Sequence, residues 1–453
     1  MSFDTLGLSP VLLRALSEHG YTTPTEIQSE AIPLVLAGRD LMGGAQTGTG
    51  KTAAFTLPML ERLFPNGARN EAAPRKVRAL VLTPTRELAA QVHESVRTYG
   101  KHIRFNSTAI FGGVGMGGQL QTLRRGVDLI VATPGRLIDH MDQRSVNLGG
   151  VEILVLDEAD RMLDMGFLPA LKKILAALPR SRQNLLFSAT FAEDIKKLAS
   201  EFMRDPAQVQ VAAQNSVATT VTHRVHPVDN DRKKDLLIDL LAQDSRRQTL
   251  VFGRTKHGAD RLAKQLCAAG FRADAIHGNK AQGARQRALK DFKEGRITVL
   301  VATDIAARGL DIEQLPVVIN YELPMVPADY VHRIGRTGRA GADGLAVSLV
   351  SREEQGQLQD ILRLLKREIE SVVVPGFEPN RPVQTQLGAP RGPKVNHQRR
   401  PHASQPGGGN KHHAGKDQRR GGGGGAATSF VGARTASRGP QGAGARGPRS
   451  PRV

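Results

Sequence analysis

Ala45-Gln46-Thr47-Gly48-Thr49-Gly50-Lys51-Thr52 runs directly into the apolar stretch Ala53-Ala54-Phe55-Thr56-Leu57-Pro58-Met59-Leu60. Small residues let successive backbone N–H groups close around phosphate oxygens. A lysine at the end of such a loop reaches the β and γ phosphates, and the hydroxyl beside it suits Mg²⁺. All of these parts are present. Ala45, Gln46, Thr47, Gly48, Thr49, Gly50, Lys51 and Thr52 are therefore candidate ligands of a nucleoside triphosphate, with Lys51 also a candidate catalytic cation and Thr52 a candidate metal ligand. Ala at position 45 stands where Gly is more common, which a loop tolerates if φ stays negative there.

A phosphate loop needs an acid for its metal, normally at the tip of a buried strand. Ile153-Leu154-Val155-Leu156-Asp157-Glu158-Ala159-Asp160 supplies one. Asp157 at the strand tip can hold Mg²⁺, and Glu158 beside it can orient and deprotonate an attacking water. On either side, short apolar runs alternate with amphipathic stretches: ALVLTP (79–84) precedes TRELAAQVHESVRTYG, and DLIVATPG (128–135) precedes RLIDHM. Near-continuous β-branched and Leu runs suit strands buried on both faces with helical crossovers, the reading of a parallel α/β sheet. After Asp205-Pro206 the chain turns polar and Ala/Thr-rich, and residues 207–222 are expected to connect two domains. The α/β rhythm then resumes with QTLVFGRT (248–255) and ITVLVATD (297–304). DLIVATPGR echoes TVLVATDIAARG, and LVLTPTRELA echoes LVFGRTKHGA, as two copies of one α/β unit would.

The 453 residues carry a formal net charge of +20, unevenly spread. Residues 381–453 hold 14 Lys and Arg against the single acid Asp417, a net +13, with 16 Gly, 8 Pro and six large apolar residues. So little apolar surface does not offset the entropy of ordering, and a disordered basic Gly-rich tail is expected there. Cys267 is the only cysteine, which excludes a disulfide scaffold and a Cys-based metal site and fits a reducing compartment. MSFDTLGLSP lacks the basic start and apolar run of a secretory signal, and no apolar run approaches the 18 or more residues of a membrane helix. A soluble, cytoplasmic protein without membrane association is expected.

With these motifs in place, residues 1–375 resemble DEAD-box ATP-dependent RNA helicases. SFDTLGLSP near the start and VVVPGFEPN near residue 380 make the chain most similar to the bacterial RhlE group. The resemblance implies a superfamily 2 core of two tandem RecA-like parallel-sheet domains of the P-loop NTPase type. It implies an ATP-binding domain over 1–206 that includes an adenine-reading element within 1–28, a linker at 207–222, a second domain over 223–375, and the tail over 376–453. In Gly20-Tyr21-Thr22-Thr23-Pro24-Thr25-Glu26-Ile27-Gln28, Gln28 would read adenine and the separate Phe3 would pack on the base; Glu26 departs from the more usual Pro. Ser188 and Thr190 of Ser188-Ala189-Thr190 would couple Asp160 to domain closure. His332 begins His332-Arg333-Ile334-Gly335-Arg336-Thr337-Gly338-Arg339, in which Arg336 and Arg339 match arginine fingers.

The resemblance also places Thr303 near an RNA phosphate and Gly309 and Asp311 near the nucleotide. It makes Pro84, Thr85, Arg86, Gly112, Gly113, Thr133, Pro134, Arg136 and Arg285, the last in Gln282-x-x-Arg285, contacts to RNA. Hydroxyls, backbone N–H groups and Arg suit phosphates, which carry no sequence information. Aromatics are 4% of the chain and Trp is absent, so recognition of backbone and 2′-OH is expected in place of base stacking. The cofactors implied are ATP and Mg²⁺ and the partner is RNA, single-stranded or a short duplex. Ribosomal particles or RNA-degradation machinery are further partners typical of the family, and the chain is expected to act as a monomer. The expected activity is RNA-dependent ATP hydrolysis coupled to local duplex separation or remodelling of RNA–protein complexes. An RNA-binding or annealing factor dominated by its basic tail, and a DNA translocase, are the competing readings.

Overall fold

The computed structural model describes residues 2–45, 48–68, 75–211, 221–244, 247–307, 312, 314–338 and 343–386. Two seven-stranded sheets, every pairing parallel, account for their strands. The first contains β1 (Leu41–Gly44), β2 (Ala79–Leu82), β3 (Ser107–Ile110), β4 (Leu129–Ala132), β5 (Ile153–Leu156), β6 (Gln183–Ser188) and β7 (Ala207–Gln210), in the order β3-β4-β2-β5-β6-β1-β7. The second contains β8 (Val221–Pro227), β9 (Thr249–Phe252), β10 (Ala273–Ile276), β11 (Val299–Ala302), β12 (Val317–Asn320), β13 (Gly344–Val350) and β14 (Glu370–Ser371). Its order, β10-β11-β9-β12-β13-β8-β14, repeats the first position for position. The two sequence echoes fall on matched strands, β4 with β11 and β2 with β9. Even the caps agree: Thr85 Oγ1 accepts from Leu88 N after β2, and Thr255 Oγ1 from Gly258 N after β9.

The apolar runs form strands because both faces of each sheet are covered. Ala79, Val81, Leu129, Val131, Ile153 and Val155 pack against one helical layer, while the alternating Leu80, Leu82, Ile130, Leu154 and Leu156 pack against the other. Each fully buried Leu, Ile or Val contributes about 1.5–3 kcal/mol, so the strand runs dominate the core. No helix among the described residues is long and apolar enough to cross a membrane.

Two expected boundaries shift. Ala207–Gln210, assigned to the connection 207–222, is a strand hydrogen-bonded to β1. It lies at the sheet edge, with Val209 inward and Gln208 and Gln210 outward, and a half-polar edge strand reads like a loop. Residues 212–220 lie outside the described residues. The expected tail start at 376 is also too early. Val372 N donates to Val225 O (2.9 Å), and Asn380 donates through N and Nδ2 to Asp229 Oδ2 (2.9 and 2.6 Å). Arg232 stacks 4.8 Å from the Phe377 ring, and Gln359 Nε2 donates to Gln386 O at 2.7 Å. The tail from Leu387 onward lies outside the described residues.

A chain ending after Ser371 loses these contacts and leaves Val228 and its apolar neighbours exposed. Its second domain is expected to unfold about 5 °C or more below that of a chain ending after Gln386, measured by differential scanning calorimetry of the two chains.

Candidate functional site

The candidate residues gather where strands end. β5, β6 and β1 are neighbours, and their C-terminal ends carry Asp157–Asp160, Ser188–Thr190 and the phosphate loop. β3, β4 and β2 are the other three neighbours, and theirs carry Gly112–Gly113, Thr133–Arg136 and Pro84–Arg86. The residues expected to meet nucleotide thus share one half of the edge, the nucleotide half, and those expected to meet RNA the other, the backbone-contact half.

Gly50, at φ 92°, turns the loop into the helix Lys51–Leu63, a conformation that a side chain would oppose. Lys51 is buried and donates from Nζ to Ala45 O at 2.7 Å, closing the loop on itself. Gln28 receives Thr25 N on Oε1 (2.9 Å) and donates from Nε2 to Gly50 O (3.1 Å). Its amide therefore ties the N-terminal element to the loop and keeps one lone pair and one N–H for a base. Phe3 is 5% exposed within the apolar core, so the ring stacking expected of it is not displayed here. Ala45 is buried, Gly48, Thr49 and Thr52 lie around the loop, and Gln46 and Thr47 fall outside the described residues.

Asp157, 3% exposed, has Oδ1 buried with no hydrogen-bond partner. Burial pushes its carboxyl up to about 7, with Glu158 adding to the rise and Lys51 opposing it. A buried carboxylate oxygen without a hydrogen-bond partner fits a hard divalent cation. No group of three or more His, Cys, Asp or Glu side chains that could hold a metal ion is found among the described residues. Glu158 sits in the left-handed region (φ 54°), backbone strain of the kind found where geometry is functional. Arg161 Nη1 meets Glu158 Oε2 at 2.9 Å with both side chains buried. Asp160 Oδ2 accepts from Ala189 N (3.0 Å), Thr190 N (3.1 Å) and Thr190 Oγ1 (3.3 Å), whereas Ser188 Oγ turns to Thr190 O (2.7 Å). Thr190 alone of the two hydroxyls reaches the acid. The sequence reading passed over Arg161, whose signal was its i,i+3 spacing from Glu158.

Across the cleft, Arg161 shares a small pocket with Asp304, Asp329, His332, Arg333 and Arg336 of the second domain. Arg333, also unassigned from sequence, grips Asp304 in bidentate fashion (Nε–Oδ1 2.5 Å, Nη2–Oδ2 2.7 Å). Its Nη1 donates to Asn320 Oδ1 (3.0 Å) and Glu322 O (2.7 Å). This anchors the helix Pro327–Ile334, after which Arg336 follows, itself buried. Gly309, Asp311 and Arg339 lie outside the described residues.

In the backbone-contact half, Thr85 caps the helix Arg86–Tyr99, and the Arg86 guanidinium lies against Gly112 and Gly113. A Cβ on Gly113 (φ 79°) would come 1.8 Å from Arg86 Nη1. Thr133 occupies the N-cap position of the helix beginning at Pro134 without a side-chain capping bond, and Arg136 Nη1 donates to Val114 O at 3.1 Å. Thr303 ends β11 as Thr133 ends β4. Arg285, expected to contact RNA, does otherwise: it is 7% exposed and its Nη2 meets Glu87 Oε2 of the first domain at 2.9 Å. Gln282 Nε2 donates to the other oxygen, Glu87 Oε1, also at 2.9 Å. Spacing placed Gln282 and Arg285 on one helix face, but nothing local revealed that the Glu87 carboxylate, 195 residues from Gln282, contacts both.

Two RecA-like sheets, a phosphate loop and acid on one and a cluster of arginines from the other across the cleft define a two-domain nucleotide-dependent helicase core. Residues 25–198 match the DEAD/DEAH box helicase model and 232–341 the helicase conserved C-terminal domain. The DEAD-box ATP-dependent RNA helicase CshA of Bacillus cereus is 43% identical over 377 residues, covering 83% of this chain and 70% of that protein. CshA of Bacillus subtilis is 42% identical, covering 83% and 75%. A solved structure of S. cerevisiae Dbp5 bound to RNA and ADP BeF3 superposes with a TM-score of 0.73 at 33% identity, covering 82% of this chain and 95% of that one. The chain belongs to the DEAD-box ATP-dependent RNA helicases.

Because Glu87 holds both Gln282 and Arg285, Glu87→Ala strands a cation in the closed cleft, which opening relieves by rehydration. The closed fraction at saturating ATP and RNA is expected to fall about tenfold or more, at a cost of about 1–3 kcal/mol for the lost charged contacts, read as inter-domain fluorescence energy transfer.

Proposed function

We propose that the chain binds ATP and RNA together across the cleft between residues 1–206 and 223–375, separates short RNA duplexes or remodels RNA–protein complexes locally, and resets on hydrolysis. The division of the first sheet's strand ends into a nucleotide half and a backbone-contact half, with Thr303 after β11 matching Thr133 after β4 and the Arg336 cluster facing Arg161, carries this reading. Lys51, with the loop from Ala45 to Thr52, cradles the phosphates. Gln28 takes the adenine, with Phe3 packed beneath that element in the core, and Gly309 and Asp311 belong to the second domain's share of the nucleotide site. Asp157 and Thr52 would hold a Mg²⁺, which when bound neutralises charge on the phosphates. Glu158 accepts the proton of the attacking water as the bond from the γ phosphorus to the bridging oxygen breaks, releasing ADP and phosphate. Arg336 and Arg339 stabilise the charge on the transferred group once the domains are closed, with His332 beside them. Asp160, through Thr190 and the Ser188 turn, passes the state of the site to the strand end of β6.

RNA lies along Pro84, Thr85, Arg86, Gly112, Gly113, Thr133, Pro134 and Arg136 on the first sheet and Thr303 on the second. Arg285 acts by holding the domains closed instead of touching RNA. The enzyme works as a cytoplasmic monomer on structured RNA of the kind met in ribosome assembly or RNA turnover, with the basic tail as a tether. The RhlE affinity rests on SFDTLGLSP and VVVPGFEPN alone; CshA relatives lend it no support, so the function proposed is one common to both groups.

Glu158→Gln is expected to retain ATP-dependent RNA binding while hydrolysis falls by about 10²-fold or more. Full turnover in that variant, followed as phosphate release, would remove Glu158 as the base. Arg339→Ala is expected to leave ATP affinity nearly intact and lower kcat by about 10³-fold. Stimulation of the ATPase by RNA but not by DNA of the same sequence separates this reading from a DNA translocase.

A further inference from the structure

Gln119 belongs to none of the motifs read from the sequence, yet it is 8% exposed and both ends of its amide are engaged, by the chain after β3 and by the helix after β4. The helix that carries it, Met116–Arg124, starts just beyond Gly112–Gly113. Nε2 donates to Phe111 O at 2.9 Å, at the end of β3. Oε1 accepts from Arg136 Nη1 at 3.3 Å and meets His140 Nε2 at 3.0 Å, both on the helix Pro134–Asp142 that follows β4. Chemistry forces the amide orientation, since a backbone carbonyl only accepts and a guanidinium only donates. His140 is fully buried, and its Nδ1 meets Ser145 Oγ at 2.8 Å, so the ring cannot swing away from the amide. Arg136 completes the bracket by donating back to Val114 O.

We propose that Gln119 is a positioning residue for RNA: it ties the loop after β3 to the helix start after β4, so that two separate backbone-contact elements form one preformed surface. The inference rests on the RNA reading of those loops given above. Joined in advance, the loops do not have to be ordered separately when RNA binds, and that saving goes to affinity. Without the amide, Arg136 and the Phe111 carbonyl lose a buried partner and the loops move independently.

Two substitutions test this. Gln119→Leu removes donor and acceptor at nearly constant size. Gln119→Glu keeps an acceptor toward Arg136 and His140 but sets an oxygen against the Phe111 carbonyl. RNA-stimulated ATPase on a defined single-stranded RNA, ATP affinity and thermal unfolding are measured for each. Gln119→Leu is expected to raise the KM for RNA about tenfold while ATP affinity and kcat at saturating RNA hold. Added to Arg136→Ala, it should raise KM less than the two single effects combined. A purely structural role would lower Tm and the active fraction, hence kcat, at constant KM; that result, or an unchanged KM in both variants, overturns the inference. Should Gln119→Leu fail to fold, Gln119→Glu decides, with a rise of about threefold expected for loss of one donor. Absence of any RNA stimulation in the unsubstituted protein would instead overturn the RNA reading beneath it.

Discussion

A parallel sheet covered by helices on both faces leaves only its strand ends free to meet a ligand, and the phosphate loop, the acids Asp157–Asp160 and the Arg86, Gly113 and Arg136 group of this protein obey that constraint. Strand interiors such as Leu80, Val81, Leu154 and Val155 are fully buried and carry no polar chemistry. Because all strands run the same way, their C-terminal ends share one edge, where crossovers begin and loops can vary without disturbing the core. Strand order then decides which loops are neighbours. With β5, β6 and β1 adjacent, Asp157, Asp160, Ser188 and Lys51 converge although they are far apart in the chain; with β3, β4 and β2 adjacent, so do Arg86, Gly113 and Arg136.

Buried charge separates groups that hold the fold from groups that wait for a ligand. Arg333 has four donor contacts and a Phe252 ring 4.9 Å from its guanidinium. Lys233, also buried, pairs with Glu354 and donates to Tyr321 O (3.0 Å), while Glu354 also receives Leu323 N (3.0 Å) and Arg254 Nη2 (3.2 Å). Such saturated networks make the second domain a rigid mount for its arginines, since removing one partner would leave a buried charge uncompensated. Asp157 is the opposite case. It is as deeply buried, but one oxygen has no partner and its carboxyl is pushed up toward neutrality by the desolvation it suffers. A folded chain tolerates that cost where a cation offsets it.

The parts of this organisation that were legible in the sequence are those written locally. β2, β4, β5, β9 and β11 were readable as apolar runs, and the repeat of the two sheets showed in the Ala-Thr pairs at 132–133 and 302–303. The phosphate loop and Asp157-Glu158 needed only composition and spacing. What escaped depends on partners distant in the chain. Glu87 reads as a solvated helix residue until Gln282 and Arg285 arrive from the other domain, and Gln119 reads as a polar residue among glycines until β3 and β4 lie side by side. β7 was missed because an edge strand alternates polar and apolar as a loop can. Phe377 fell to the expected tail because a single aromatic among Pro and Gly gives no periodicity, although it packs with Val374 against the second domain's core.

The resting contacts of the phosphate loop also constrain how affinity for nucleotide can arise. Lys51 uses one of its three donors on Ala45 O, and Gln28 one of its two on Gly50 O, so both groups are held by the loop's own carbonyls while part of their capacity remains. A phosphate can therefore share Lys51 with the loop, and its gain is a charge-assisted bond to a group already held in place. The backbone N–H groups that open the helix at Lys51 add to this, because the first turn of any helix leaves its donors without intrahelical partners. On the function proposed above, phosphate binding draws on the loop's backbone and Lys51 without dismantling the loop's resting contacts. The Gln28 amide, spanning Thr25 N and Gly50 O, then ties the N-terminal element to the loop before and after a base is met, so that the loop's position and that element's are set together.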